Sequence, residues 1–157
     1  MDVKDLSVDF KTYLGKLKVL NGVDFSVNEG EKVGIIGESG CGKTTTMKSI
    51  LRILATNAVV EDGDIRFRGN EMLRLEKKKL DEIRRKNLTM IFQDPTAALN
   101  PVFKVSSILG DVIKASGNIG DQKATKQLIR EKSLDALKEV SLPDPERVLD
   151  SYPFQLS

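Results

Sequence analysis

An α/β fold organised around a phosphate-binding loop is predicted by three features of the 157-residue sequence. Gly37-Glu38-Ser39-Gly40-Cys41-Gly42-Lys43-Thr44 (GESGCGKT) places two glycines five positions apart and follows the second with Lys and Thr. A short apolar run, Lys32-Val33-Gly34-Ile35-Ile36, precedes it, and Met47, Ile50, Leu51 and Leu54 recur at helical spacing after it, so the motif stands in a strand–loop–helix context. Strand-like alternation is confined to the first part of the chain, and beyond Ala97 only helical spacing is evident.

Taken in order, Val3, Leu6, Val8 and Phe10 alternate with polar residues and predict a strand. Leu17–Val27 predicts a second, with Asn21-Gly22 as a bend or bulge inside it. Asn28-Glu29-Gly30-Glu31 reads as a turn into the loop strand, and the helix after the loop is expected over Thr45–Leu54. Asp64–Arg68 alternates cleanly and is closed by Gly69-Asn70. Glu71–Lys86 predicts a charged helix weakly striped by Leu73, Leu80 and Ile83; its basic clusters are interleaved with acids, as on a solvated face. Leu88–Phe92 is a short apolar run broken by Gln93-Asp94-Pro95. Val105–Ala115 predicts a helix with Ile108, Val112 and Ala115 on one side. A longer helix is expected over Lys123–Val140, with Ile129, Ala136, Leu137 and Val140 buried, Asp121 as N-cap and Ser141–Pro145 as the stop. The α/β part thus spans 1–95 and the helical part 96–157.

The loop's chemistry follows from its residues. Gly37, Gly40 and Gly42 let phosphate oxygens approach the main chain, Glu38 and Ser39 belong to the same nucleotide-binding loop, and Cys41 is a spacer that contributes its N–H. Those N–H groups converge on an anion to which the next helix presents its positive end. Lys43 supplies a mobile charge for the β- and γ-phosphates, the Thr44 hydroxyl suits Mg²⁺, and Thr45 reaches toward the α-phosphate. A glycine turn without a ligand is the plainer alternative; the flanking strand and helix patterns argue against it.

Composition excludes other chemistries. The chain has 25 basic and 23 acidic residues, a net charge of +2 that gives no hint of a nucleic-acid partner. One Cys rules out an internal disulfide and a Cys₄ metal site, and the lack of His rules out a His triad or His-based metal site within these residues. No apolar run approaches the ~18 residues of a membrane span, and the first residues do not open a signal peptide. A cytoplasmic setting is expected.

A phosphate loop alone does not choose among kinases, GTPases, helicases and transport ATPases. Ile91-Phe92-Gln93-Asp94-Pro95-Thr96-Ala97-Ala98-Leu99-Asn100-Pro101 resembles the Q-loop of ATP-binding cassette (ABC) ATPases, in the form of the dipeptide/oligopeptide/nickel importer branch. Asn28–Glu31, Gly37–Gly40 and Tyr152-Pro153-Phe154-Gln155-Leu156-Ser157 agree, so the resemblance covers essentially the whole chain. It implies a P-loop NTPase fold with an N-terminal β subdomain, an α-helical subdomain and an incomplete core sheet, using ATP and Mg²⁺. Gln93 would then reach Mg²⁺ and the attacking water. Tyr13, 24 positions before Gly37, stands about where the family places a ring that stacks on adenine. Phe10 is nearby, and either ring also suits a core. Leu99, Pro101 and Phe103 would meet a helix of the transmembrane permease, or pack inside the helical subdomain. A second ATP-binding subunit would complete the nucleotide sandwich, at the inner face of the membrane.

The family's signature is met here only by its first two residues, Leu156 and Ser157. Its two glycines, the acidic strand with the catalytic Glu, and the switch His are not among these 157 residues, so the chain as given is expected to bind ATP without hydrolysing it. The phosphate-loop and Q-loop strands are also expected to lack the strands that would lie between them. A non-transport ABC ATPase of DNA repair or translation, and a non-catalytic nucleotide-binding fragment, are the alternatives. No Asn-Lys-x-Asp or Thr-Lys-x-Asp motif supports a GTPase.

Overall fold

A computed structural model of the protein describes residues 1–93, 99–116 and 125–156, in two compact units that divide between Arg84 and Arg85. The first holds a four-stranded antiparallel sheet in the order β2-β1-β3-β4, with β1 Asp2–Thr12, β2 Gly15–Ser26, β3 Ala58–Phe67 and β4 Asn70–Glu71. Side chains alternate across a sheet, so the apolar positions Val3, Leu6, Val8, Leu20 and Ile65 form a buried set, joined by Met72 just after β4. The expected bulge is present. Leu6 pairs with Val23 and Val8 with Leu20, leaving Asn21 and Gly22 as the extra residue's place, where the Gly22 N–H donates to Ser7 Oγ at 3.0 Å.

A second bulge was not legible in the sequence. Lys4 pairs with Asp64 and Ser7 with Asp62, so Asp5 and Leu6 together oppose the single residue Gly63. A Cβ at Gly63 would lie 2.6 Å from Leu6 Cα and 2.8 Å from the carbonyls of Lys4 and Asp5, at a backbone φ of +110°. Only glycine fits there. The strand ending in Phe67 begins at Ala58, well before the expected Asp64, and a tight turn through Arg68 and Gly69, both at positive φ, leads into β4.

The loop helix α1 runs Lys43–Ile50, earlier than Thr45–Leu54, because Arg52 takes a left-handed φ of 51° and ends it. Helix α2 spans Lys77–Lys86 rather than starting at Glu71, with Leu80 and Ile83 buried as expected. The two apolar runs expected as core strands form none: Lys32–Ile36 and Leu88–Phe92 have no strand partner among the described residues, and Ile36 and Ile91 are 98% and 90% exposed. What the sheet contains is therefore the antiparallel β subdomain.

The second unit packs α3 (Val105–Ser116), α4 (Lys126–Glu139) and α5 (Pro145–Asp150) around Val105, Leu137, Val148 and Leu149, with Leu109 and Leu134 against them. Two expected stripes shift. Val112 and Val140 are 59% and 66% exposed and Ala115 and Ala136 face solvent; Leu137 is buried and Ile129 half-buried as expected, joined by Val105 and Gly110 on α3 and Ser133 on α4. Gly110 accounts for part of the shift: a Cβ there would meet Ile129 Cγ2 at 3.2 Å, so α3 and α4 approach along that line. Thr125, not Asp121, caps α4, its Oγ1 accepting from the Leu128 N–H at 3.3 Å; Asp121 lies outside the described residues. Helix α5 was not anticipated. Asp144 caps it through the Arg147 N–H, and Pro145 holds its first position.

Candidate functional site

The phosphate loop joins the sheet to α1 through Gly42. This residue is the N-cap of α1 at φ 98°, and a Cβ on it would fall 2.5 Å from Leu20 Cδ2 and 3.2 Å from the Val19 carbonyl of β2. Its left-handed backbone and its contact with β2 both require glycine. Having no side chain, Gly42 offers α1 no cap, and no acidic residue stands in the first turn. A helix begins with N–H groups that lack intrahelical acceptors and with partial positive charge. Here that charge is left for an outside anion.

Lys43 sits at the mouth of the loop. Its ammonium donates to the Gly37 carbonyl at 2.7 Å and the Glu38 carbonyl at 2.6 Å, and lies 3.5 Å from Cys41 Sγ. The cation is thus held across the turn by neutral acceptors, and no carboxylate among the described residues pairs with it, which leaves it for a phosphate. Cys41 is exposed, its N–H donating to the Glu38 carbonyl at 3.3 Å. Gly37, Glu38, Ser39 and Gly40 are exposed, Thr44 is exposed at the start of α1, and Thr45 is half-buried behind it. Within α1, Thr46 Oγ1 donates to the Gly42 carbonyl and Ser49 Oγ to the Thr45 carbonyl, whereas Thr44 and Thr45 are the exposed and the half-buried threonine of the first turn. These residues fit a nucleotide phosphate: an uncapped helix start and an ammonium held beside it by neutral carbonyls.

The other expected residues are placed as follows. Tyr13 stands at the tip of the β1–β2 hairpin, fully exposed, and so belongs to no core, whereas Phe10 is half-buried in the stem. Thr12 Oγ1 closes that tip by donating to the Gly15 carbonyl and accepting from the Leu14 N–H. Gln93 belongs to the second unit and is exposed. In the same unit Leu99 is half-buried and Pro101 exposed, and Phe103, 51% exposed, lines an open cleft of about 560 Å³ with Lys104, Lys114, Lys126, Arg130 and Tyr152. Ser157 lies outside the described residues. Among those residues no cluster of His, Cys, Asp or Glu is arranged to hold a metal. No helix among them is long and apolar enough to cross a membrane.

Residues 20–157 match the family model described as ABC transporter, nearly the whole chain including the loop, α1 and the stretch around Gln93. The chain belongs to the ABC transporter family. Among curated proteins it is 39% identical to the dipeptide transport ATP-binding protein DppD of Bacillus subtilis, over 100% of this chain and 46% of the relative. It is 38% identical to a probable peptide ABC transporter ATP-binding protein of Sinorhizobium fredii, with the same coverage. A third similar protein is the probable D,D-dipeptide transport ATP-binding protein DdpD of Escherichia coli, 37% identical over 100% of this chain and 47% of the relative. The chain therefore spans about half the length of the curated relatives it matches. Among solved structures, an ATP-binding cassette in a dimeric post-hydrolysis state bound to ADP and Pi aligns with a TM-score of 0.81 over 99% of this chain and 62% of that one, at 23% identity. This ABC chain thus has the cassette fold, and its antiparallel sheet and helical unit are parts of a P-loop NTPase domain.

Proposed function

We propose that the protein is the ATP-binding subunit of an ABC importer that couples ATP binding and hydrolysis to uptake of peptides. The observation that carries this reading is the Lys43 ammonium, set across the loop at the uncapped start of α1 and met by carbonyls instead of a carboxylate. Gly37–Gly42 and Lys43 would hold the β- and γ-phosphates, Thr45 the α-phosphate, and Thr44 with Gln93 the Mg²⁺. ATP bound there supplies the phosphoryl chemistry that drives transport. Tyr13, presented at a hairpin tip, would stack on adenine. Ser157 would belong to the signature that faces the nucleotide of a second ATP-binding subunit. The 157 residues alone would hold ATP without cutting it, since they carry no His and do not include the family's catalytic Glu strand.

The names of the relatives support peptide cargo, and nickel is the minor alternative from the same branch. The permease is the proposed membrane partner, with Leu99, Pro101 and Phe103 on the surface it meets; the half-exposed Phe103 beside the basic cleft supports this. A peripheral position on the cytoplasmic face follows from that partner. The site is tested by titrating a fluorescent ATP analogue. Lys43→Ala should weaken binding by at least about tenfold, because a charge-assisted hydrogen bond contributes ~1.5–3 kcal/mol. Unchanged affinity in that variant would overturn the assignment. Loss of growth on dipeptides, with nickel uptake intact, in a strain lacking the protein separates the two cargoes.

A further inference from the structure

The end of α1 remote from the phosphate is held in an unusual way. The helix closes with paired bonds, Ile53 N–H to the Lys48 carbonyl and Arg52 N–H to the Ser49 carbonyl, a pattern that calls for a left-handed residue at Arg52, a position usually given to glycine. Here an arginine adopts it, and two arginines secure it. Arg52 Nη1 donates to the carbonyls of Leu75 at 2.7 Å and Met72 at 3.3 Å, and Met72, fully buried, itself donates to the Ile65 carbonyl of β3 at 2.7 Å. Arg84, on α2, donates from Nε to the Leu51 carbonyl at 2.8 Å and from Nη2 to the Arg52 carbonyl at 2.8 Å and again to Leu51. Its Nη1 pairs with Asp81 at 3.2 Å, and its side chain is 27% exposed.

We propose that Arg84 is a positioning residue for the nucleotide: by gripping the carboxyl end of α1, it fixes where the amino end of the same helix meets phosphate. The inference rests on the reading of the loop as an ATP site. Helix carbonyl ends carry partial negative charge and unsatisfied acceptors, and a guanidinium answers both with a rigid fork that a lysine cannot reproduce. The lever is short. Eight residues span about 12 Å, so a 10° tilt at the carboxyl end moves Thr44 by about 2 Å. A misplacement of about 1 Å can cost two orders of magnitude where charge must be aligned. The amino end of α1 meets β2 at Gly42 and its middle is buried through Thr46, Ser49 and Ile50, so the arginine grip supplies the fixed point at the opposite end.

The test is ATP affinity of the full-length protein, measured well below its melting temperature so that folded protein is compared with folded protein. Arg84→Ala should bind ATP about tenfold more weakly, with tripolyphosphate competing about tenfold more weakly too, because the loss lies at the phosphate end. Arg84→Lys should fall between, about threefold weaker. Amide exchange should quicken at residues 44–47 and stay unchanged in β1 and β2. Wild-type ATP affinity in Arg84→Ala would overturn the proposal, and if that variant does not fold, wild-type affinity in Arg84→Lys would do so. Lys43→Ala separates the two readings. If it abolishes binding while the Arg84 variants bind normally, positioning alone fails; if it binds normally, the ATP site fails with it.

Discussion

Two stretches of the first unit have similar apolar content and opposite fates. Ala58–Phe67 carries Val59, Val60 and Ile65 and is a paired strand with Ile65 fully buried. Lys32–Ile36 carries Val33, Ile35 and Ile36 and stays unpaired, with those side chains 46%, 43% and 98% exposed. Intrinsic propensity does not separate them, since both are rich in β-branched residues. Neighbours do. β3 has β1 along one edge and β4 on the other, and cross-strand contacts are the unit of sheet stability. No described strand lies beside Lys32–Ile36. The stable part of this unit is therefore the antiparallel sheet, and the functional loop hangs from it by Gly42 against β2 and by α1.

The largest effect that would break this comparison is expected from paired glycine substitutions. Gly63→Ala forces a methyl group against three backbone atoms of β1 at a φ closed to alanine, and neither strand can give way without losing the bulge. It should destabilise the sheet by roughly 3–5 kcal/mol. Gly34→Ala, with nothing within 4 Å of its Cβ, should stay within about 0.5 kcal/mol. Urea denaturation followed by circular dichroism measures both. Equal losses in the two variants would mean that the loop strand is as tightly packed as the sheet.

A smaller effect sharpens the contrast between units. Leu149 is fully buried among Val105, Leu137 and Val148, so Leu149→Ala should cost the helical unit about 3 kcal/mol. Amide exchange should then accelerate in α3 and α4 while β1 keeps its protection. Acceleration in β1 as well would show the two units unfolding as one.

The same neighbour rule explains what the sequence disclosed. The phosphate loop was legible because its chemistry is local: glycines, Lys and Thr act at fixed offsets along one turn. β1, β2 and the bulge at Asn21-Gly22 were legible because period-two alternation survives in a half-buried sheet. The first half of β3 was hidden, because Glu61, Asp62 and Gly63 interrupt the apolar pattern. Glu61 serves an ion pair and Gly63 a bulge on another strand, and both are facts of pairing rather than of local sequence. Val112 and Val140 misled for the converse reason: helical spacing identifies a stripe, but the close approach of α3 and α4 at Gly110 decides which stripe is inside. Arg84 left no sequence signal at all, since one basic residue in a charged helix looks like any other until the end of α1 is placed beside it.

The smallest expected effect concerns the outer face of the sheet beneath Tyr13. Lys16 on β2 reaches across β1 to Glu61 on β3 at 2.6 Å, near Asp9, whose carboxylate is buried with Oδ1 lacking a hydrogen-bond partner among the described residues. The hydrogen bond from Lys16 to Glu61, then that carboxylate's charge, with a lesser contribution from Asp9, hold the Lys16 pKa above its usual 10.5. A group whose pKa is raised by folding contributes stability that is complete below its unfolded pKa and is lost as pH rises through its folded one. The clip should therefore be indifferent to pH from neutral to about 10 and weaken only above 10.5. Exposed pairs of this kind contribute little, so the expected change is a slight loss of sheet protection on alkaline titration, absent in Lys16→Met. The variant has a second reading at neutral pH: without Lys16 the buried Asp9 loses its nearby cation, and exchange at the hairpin stem should rise even though Tyr13 itself touches nothing. If the stem were as well protected in Lys16→Met as in the wild type at both pH values, the cation would be decorating the sheet rather than holding together the three strands that present the ring.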